Sequence, residues 1–134
     1  MISPTGKPIR DFDAWGRGTY GAPRGKRIHR GVDFICEAGQ QVICPIGGLN
    51  GDVIVVREAR PYTEGEYSGV LLKTVGIVIK MFYLEPDRSL IGQTIKQGHI
   101  IGHAQDISEK YEGMIPHVHL EIVGMNPEVL LNLP

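Results

Sequence analysis

The sequence predicts an all-β fold, a mainly antiparallel sheet or barrel-like sandwich with a loop-rich N-terminus and at most a short C-terminal helix. Two observations carry this expectation. Eighteen Gly and nine Pro in 134 residues give frequent turn signals and leave little room for long helices. The apolar runs between those signals are short and rich in β-branched and aromatic residues.

The elements follow in order. Residues 1–28 are rich in Gly, Arg and Pro and weakly periodic, which reads as loop. "GVDFIC" (31–36) is a short strand, "EAGQ" (37–40) a turn and "QVICPI" (41–46) a second strand. Residues 47–60 read as a turn followed by a strand, and 61–69 as a polar connection. "VLLKTV" (70–75) and "GIVIKMFYLEP" (76–86) read as two strands. Residues 87–107 alternate turns with short apolar pieces, and "PHVHLEIVG" (116–124) is a strand. In "NPEVLLNLP" (126–134), Asn126 suits an N-cap and Pro127 the first helical position, for two turns at most. No repeat, low-complexity run or linker interrupts the chain, so 1–134 is expected to be one domain.

Bulk properties exclude some partners. A net charge of −1 argues against a nucleic-acid surface. No apolar run reaches the ~18–20 residues of a membrane span, so no membrane insertion is expected. "MISPTGKPIRDFD" lacks the apolar region of a secretory signal. The expectation is synthesis in the cytoplasm, with lysis or another exporter needed for any action outside. Cys36 and Cys44 are too widely spaced for a CxxC motif. They either pair across a hairpin in an oxidising compartment or are buried free thiols. "GRGTYG" (16–21) has the letters of a dinucleotide fingerprint but neither the preceding strand nor the following helix. "GAPRGKR" (21–27) is one residue short of a P-loop. The oligomeric state is not set by any feature of the sequence.

The chemistry concentrates in two places. "HRGVD" places His29 and Asp33 four apart, with Gly31 expected to relax the backbone into a turn. "HVH" places His117 and His119 on one face of a strand, because strand side chains alternate with period two. A catalytic zinc takes three protein ligands and keeps one position open. His29, Asp33 and one of the two strand histidines would complete that set, leaving the other as a base. A two-histidine, one-carboxylate set also suits other divalent ions. His99 and His103 flank a Gly-containing turn without a carboxylate pattern and read as surface or supporting residues.

These motifs, in this order, resemble the lysostaphin/LytM-type zinc metallopeptidases, peptidase family M twenty-three, marked by an early HxxxD and a late HxH. The similarity spans roughly residues 10–128 and includes "RIHRGVDFICEAGQQVICPIGGLNGDVIVV", "GHIIGHAQD" and "PHVHLEI". The resemblance implies zinc held by His29, Asp33 and His119, with His117 helping to activate the attacking water. It implies a groove above the metal and substrates among peptidoglycan stem peptides and cross-bridges, often at glycine-containing bonds. One position departs from the family: "MFYL" puts Tyr83 where another catalytic histidine is expected. "IKMFYLEP" and "YEGMIPHVHLE" also resemble the leukocyte cell-derived chemotaxin branch, whose members bind zinc without the full catalytic set. Two functions follow, a zinc endopeptidase on peptidoglycan or a catalytically silent, zinc-bound binding module. Tyr83 has a phenol pKa near ~10, so it is a hydrogen-bond donor to an oxyanion or a packing residue, not a general base. Arg24, Arg27 and Tyr20 are expected near the groove, with Glu64, Glu66 and Tyr67 as its wall. Glu121, on the histidine face, can orient a ligand imidazole.

Overall fold

In the computed structural model, residues 1–11, 13, 15–47, 52–108 and 110–131 are described. Apolar residues at alternate positions divide the chain into strands with one dry face. The strands are β1 Pro23–Arg24, β2 Arg27–Ile28, β3 Val32–Ile35, β4 Gln41–Ile43, β5 Asp52–Glu58, β6 Gly69–Thr74, β7 Ile77–Phe82, β8 Leu84–Pro86, β9 Thr94–Lys96, β10 Ile100–Ala104 and β11 His117–Ile122. A 3₁₀ turn, Arg88–Leu90, and one helical turn, α1 Glu128–Leu131, complete the set. Asn126 caps α1, its Oδ1 accepting the Glu128 N–H at 2.9 Å.

All strand pairs are antiparallel. Six strands form the main sheet in the order β3-β11-β7-β6-β5-β9, three form a second in the order β4-β10-β8, and β1 and β2 form a small hairpin. The expected antiparallel all-β architecture is therefore present. Among the described residues no barrel closes, since β3 and β9 end the main sheet.

The core lies on one face of the main sheet. Val118, Leu120 and Ile122 of β11, Val32 and Phe34 of β3, and Ile79 and Met81 of β7 join Val42, Leu84 and Ile101 from the smaller sheet. Each large apolar side chain contributes roughly 1.5–3 kcal/mol by burial. A slip of one residue in β11 would exchange Val118 and Leu120 for His117 and His119 in that core, so burial fixes the register. The opposite face carries Asp33, Lys80, Phe82, His117, His119 and Glu121. Direct strand pairing sets His119 beside Asp33 on one side and Phe82 on the other.

The strand expected across 76–86 is broken at Tyr83. Tyr83 has φ +70°, alone among the described non-glycine residues in being left-handed. Its N–H donates to the Ser68 carbonyl at 2.8 Å, and its own carbonyl accepts from Gln105 at 2.9 Å. The chain leaves the main sheet at Phe82 and enters the small one at Leu84, and this one-residue break re-aims the Tyr83 side chain. The hairpin β1–β2 lies inside the segment read as loop. Part of the turn expected at 47–51, residues 48–51, and the end of the C-terminal helix, 132–134, lie outside the described residues. Both cysteines are buried and unpaired, as the free-thiol reading has it, and burial pushes the Cys36 thiol up to about 11.

Candidate metal centre

Three ligand atoms from three segments converge. His29 Nε2 lies 3.1 Å from Asp33 Oδ1 and 3.1 Å from His119 Nδ1, and His119 Nδ1 lies 3.0 Å from Asp33 Oδ1. The atoms form a nearly equilateral triangle. Ligand atoms around a tetrahedral zinc with bonds of about 2.0–2.1 Å stand about 3.4 Å apart, so the donor set fits such an ion in both chemistry and spacing.

Each ligand is held from behind. His29 Nδ1 lies 2.9 Å from the Thr19 carbonyl, a contact that holds the ring with Nε2 facing the triangle. His119 Nε2 lies 3.5 Å from Glu121 Oε1, the carboxylate expected to orient it, and its ring stacks on Phe82 at 5.6 Å. Asp33 divides its two oxygens. Oδ1 faces the imidazoles, while Oδ2 accepts from Arg10 Nη2 at 2.9 Å. Burial opposes the Asp33 charge, but hydrogen bonds from His119 and His29 outweigh it and hold the carboxyl well below the usual range.

Arg10 is absent from the sequence reading. It is 1% exposed and also bonds Asp13 Oδ2 at 2.9 Å and the Gly16 carbonyl at 2.7 Å. Asp13 in turn accepts the Ile115 N–H at 2.8 Å, tying the N-terminal segment to the approach to β11. Gly18 of "GRGTYG" has a packing role: a Cβ there would lie 2.8 Å from Arg10 Cβ and 3.0 Å from Asp33 Cβ.

Gly31 forms the expected bend at the entry to β3. It also supplies space, because a Cβ would fall 2.3 Å from the Leu120 carbonyl and 2.8 Å from His119 Cε1. Gly31→Ala should therefore push β11 away from Asp33. We expect a loss of roughly 3 kcal/mol of stability or more, with metal content reduced at least tenfold, read by elemental analysis beside a thermal melt. An alanine variant that keeps its metal and its melting point would refute the packing argument.

His117 lies beside the triangle without joining it. Its Nδ1 donates to the Ile115 carbonyl at 2.8 Å, and its Nε2 is 3.5 Å from Asp33 Oδ2. Burial lowers its pKa against the pull of Asp33, which favours the neutral ring. Tyr83 meets His117 edge-on at 5.5 Å between ring centres. Burial and a hydrogen bond to Tyr62 push the Tyr83 phenol far up, so it keeps its proton. A cleft of about 370 Å³ opens over these groups, with Trp15, Tyr62 and Tyr111 on its outer wall.

All five residues singled out in the sequence, His29, Asp33, Tyr83, His117 and His119, line this one cleft. Arg24 lines it too, and Arg27 lines a neighbouring groove. Tyr20 instead packs against the core, and Glu64 and Glu66 are exposed and line neither cavity. Tyr67 is buried behind Tyr83, ring to ring at 5.5 Å. His99 and His103 are exposed and away from the cleft. No helix among the described residues is long and apolar enough to cross a membrane.

No protein-family model matches the chain. Curated relatives do. Leukocyte cell-derived chemotaxin-2 of Bos taurus is 32% identical over 115 residues, covering 84% of this chain and 72% of the relative. The Mus musculus protein of the same name is 32% identical over 121 residues, covering 89% and 76%. Myeloid protein 1 of Gallus gallus is also 32% identical, over 89% of this chain and 36% of its own length. Among solved structures, the catalytic domain of the antimicrobial peptidase lysostaphin from Staphylococcus simulans superposes with TM-score 0.54 at 23% identity, covering 83% of this chain and 78% of that domain. A solution structure of lysostaphin gives TM-score 0.53 over 83% of this chain and 42% of that one. By sequence and by fold together, the chain belongs to the leukocyte cell-derived chemotaxin-2 family, on the lysostaphin/LytM-type fold.

Proposed function

We propose that the protein is a zinc-dependent endopeptidase that hydrolyses peptide bonds of bacterial peptidoglycan. The support is the triangle of His29, Asp33 and His119, with the free Nε2 of a fourth residue, His117, in the same cleft. Zinc held by the three would supply a Lewis acid that polarises the scissile carbonyl and lowers the pKa of water toward ~7. His117 accepts the proton of the attacking water at Nε2 and passes it to the leaving amine, its Nδ1–H anchored on Ile115. The Tyr83 hydroxyl donates to the developing oxyanion after leaving Tyr62. Arg10 holds Asp33 in place through the oxygen that does not face the triangle.

The test is incubation of metal-quantified protein with purified sacculi, with His29→Ala as control. One zinc per chain and new amine termini, both lost in the variant, are expected. A second reading has a specific basis: Tyr83 stands where a histidine is expected, and the curated relatives bear the names of a chemotaxin and a myeloid protein rather than of peptidases. Bound zinc with intact sacculi from several wall types would overturn the peptidase and support a silent zinc-bound module.

Zinc uptake should be linked to pH. In the metal-free chain burial disfavours the charge on His119, but Asp33 and Glu121 outweigh it and raise its pKa to about 9. The proton of His119 thus occupies the place of the cation. At pH 7 binding should release close to one proton, and affinity should rise about tenfold per pH unit toward pH 9. Because the folded value is raised, the stabilisation is full below the unfolded pKa of about 6.5 and is lost as pH rises through about 9. Calorimetry in buffers of different ionisation enthalpy counts the proton. Release of none would mean that His119 is not a ligand.

A further inference from the structure

Beside the metal triangle lies a second groove, of about 460 Å³, that shares Arg24, His29, Pro61, Phe82 and His119 with the cleft. Its lining is cationic. Arg24 stands on β1, Arg27 on β2, Arg30 in the link to β3 and Lys80 on β7, against a single carboxylate, Glu121. The chain as a whole carries −1, so this is a local segregation of charge. Arg24 is committed, donating to the carbonyls of Pro23 and Arg17 and lying 3.9 Å from Asp33 Oδ2. Arg27, Arg30 and Lys80 make no salt bridge among the described residues. Glu121 is held first by His119 and feels Arg30 and Lys80 only at longer range. Three cations thus face one shared carboxylate across an open groove. Trp15, Tyr62 and Tyr111 line the cleft and not the groove.

A peptide running from the cleft into the groove passes aromatic rings in the first and uncommitted cations in the second. We propose that the cationic groove is a subsite for a carboxylate of the substrate, so that the preferred peptide is anionic within about three residues of the metal, each residue spanning about 3.3–3.6 Å. This rests on the reading of the triangle as a peptide-binding centre. The carboxylate can belong to an acidic side chain or to a free C-terminus. Opposite charge in a groove with a low-dielectric wall gives both affinity and a salt-dependent encounter rate.

The test is binding rather than turnover. Zinc-loaded protein is titrated by calorimetry, in low salt, with N-acetylated glycine-alanine pentapeptides carrying one Glu or one Gln at the second or fourth position. Each peptide is made with a C-terminal amide and with a free C-terminus, and its integrity is checked by mass afterwards. At least tenfold tighter binding of Glu over Gln assigns the groove to a side-chain carboxylate. The same preference for free acid over amide assigns it to a chain terminus. The exposed pair Arg27→Glu with Arg30→Glu should erase either preference at unchanged zinc content and melting point. Equal binding of charged and neutral peptides, no measurable binding of any charged peptide, or a preference that survives the double variant would overturn the subsite. A groove that binds anionic peptides in a protein that cuts no sacculi would leave the subsite standing and the peptidase rejected. Cleavage of sacculi without charge preference would do the reverse.

Discussion

Alanine at His117 should stop hydrolysis and leave the metal in place. The three atoms that converge for the ion come from His29, Asp33 and His119, and His117 Nε2 lies outside that triangle, 3.5 Å from the far oxygen of Asp33. Its loss removes the proton acceptor, and positioned acid–base groups are worth typically 10²–10⁴ in rate. Burial lowers the His117 pKa, so the acid limb of the wild-type rate profile should lie below the ordinary histidine value of about 6.5. The variant should lack that limb. Because His117 is buried and its Nδ1 satisfies the Ile115 carbonyl, His117→Asn, whose amide nitrogen can stand at the Nδ1 position, guards against a folding defect. Loss of zinc in both variants would recast His117 as a ligand. Undiminished cleavage would remove it from the mechanism.

The candidate ligands were legible because the spacing within each motif is local. A strand of period two forces His117 and His119 to one face, and the four-residue spacing of His29 and Asp33 brings both into the approach to a single strand. What supports them was not. Arg10 meets Asp33 across 23 positions from a weakly periodic segment, and no neighbouring residue marks it as buried. Tyr83 was legible as a departure but not as a break. "IVIKMFYLEP" has no Gly at the point where the backbone turns left-handed, so the sequence reads through it as one strand. The turn is imposed by Ser68 and Gln105, which bind the Tyr83 backbone from elsewhere in the chain. Gly31 was noticed for its bend but not for the space it leaves, since that constraint comes from Leu120 and His119 on a strand about ninety residues later in the chain. The aromatic wall is likewise assembled from separate loops and has no signature in any one of them.

Arg10→Met should destabilise the protein strongly. Methionine keeps much of the volume but removes the charge that neutralises Asp33 and Asp13 together. Both carboxylates are buried, with side chains 3% and 5% exposed, and breaking a buried pair by deleting one partner costs about 3–5 kcal/mol. For a domain of this size that should lower the melting temperature by roughly 10–20 °C. Arg10→Lys should rescue little, because one ammonium cannot reach Asp13, Asp33 and the Gly16 carbonyl at once. Added zinc separates the two roles of the arginine. A dication at the triangle supplies Asp33 with a new counter-charge, but nothing replaces Arg10 at Asp13, so zinc should raise the variant's melting point more than the wild type's without restoring it fully. If zinc restores it completely, the Asp13 arm is not structural. If the metal-free variant melts within 2 °C or so of the wild type, far less than a broken buried pair should cost, Arg10 does not organise the centre, and the position of Asp33 must be fixed by the strand pairing of β3 with β11 alone.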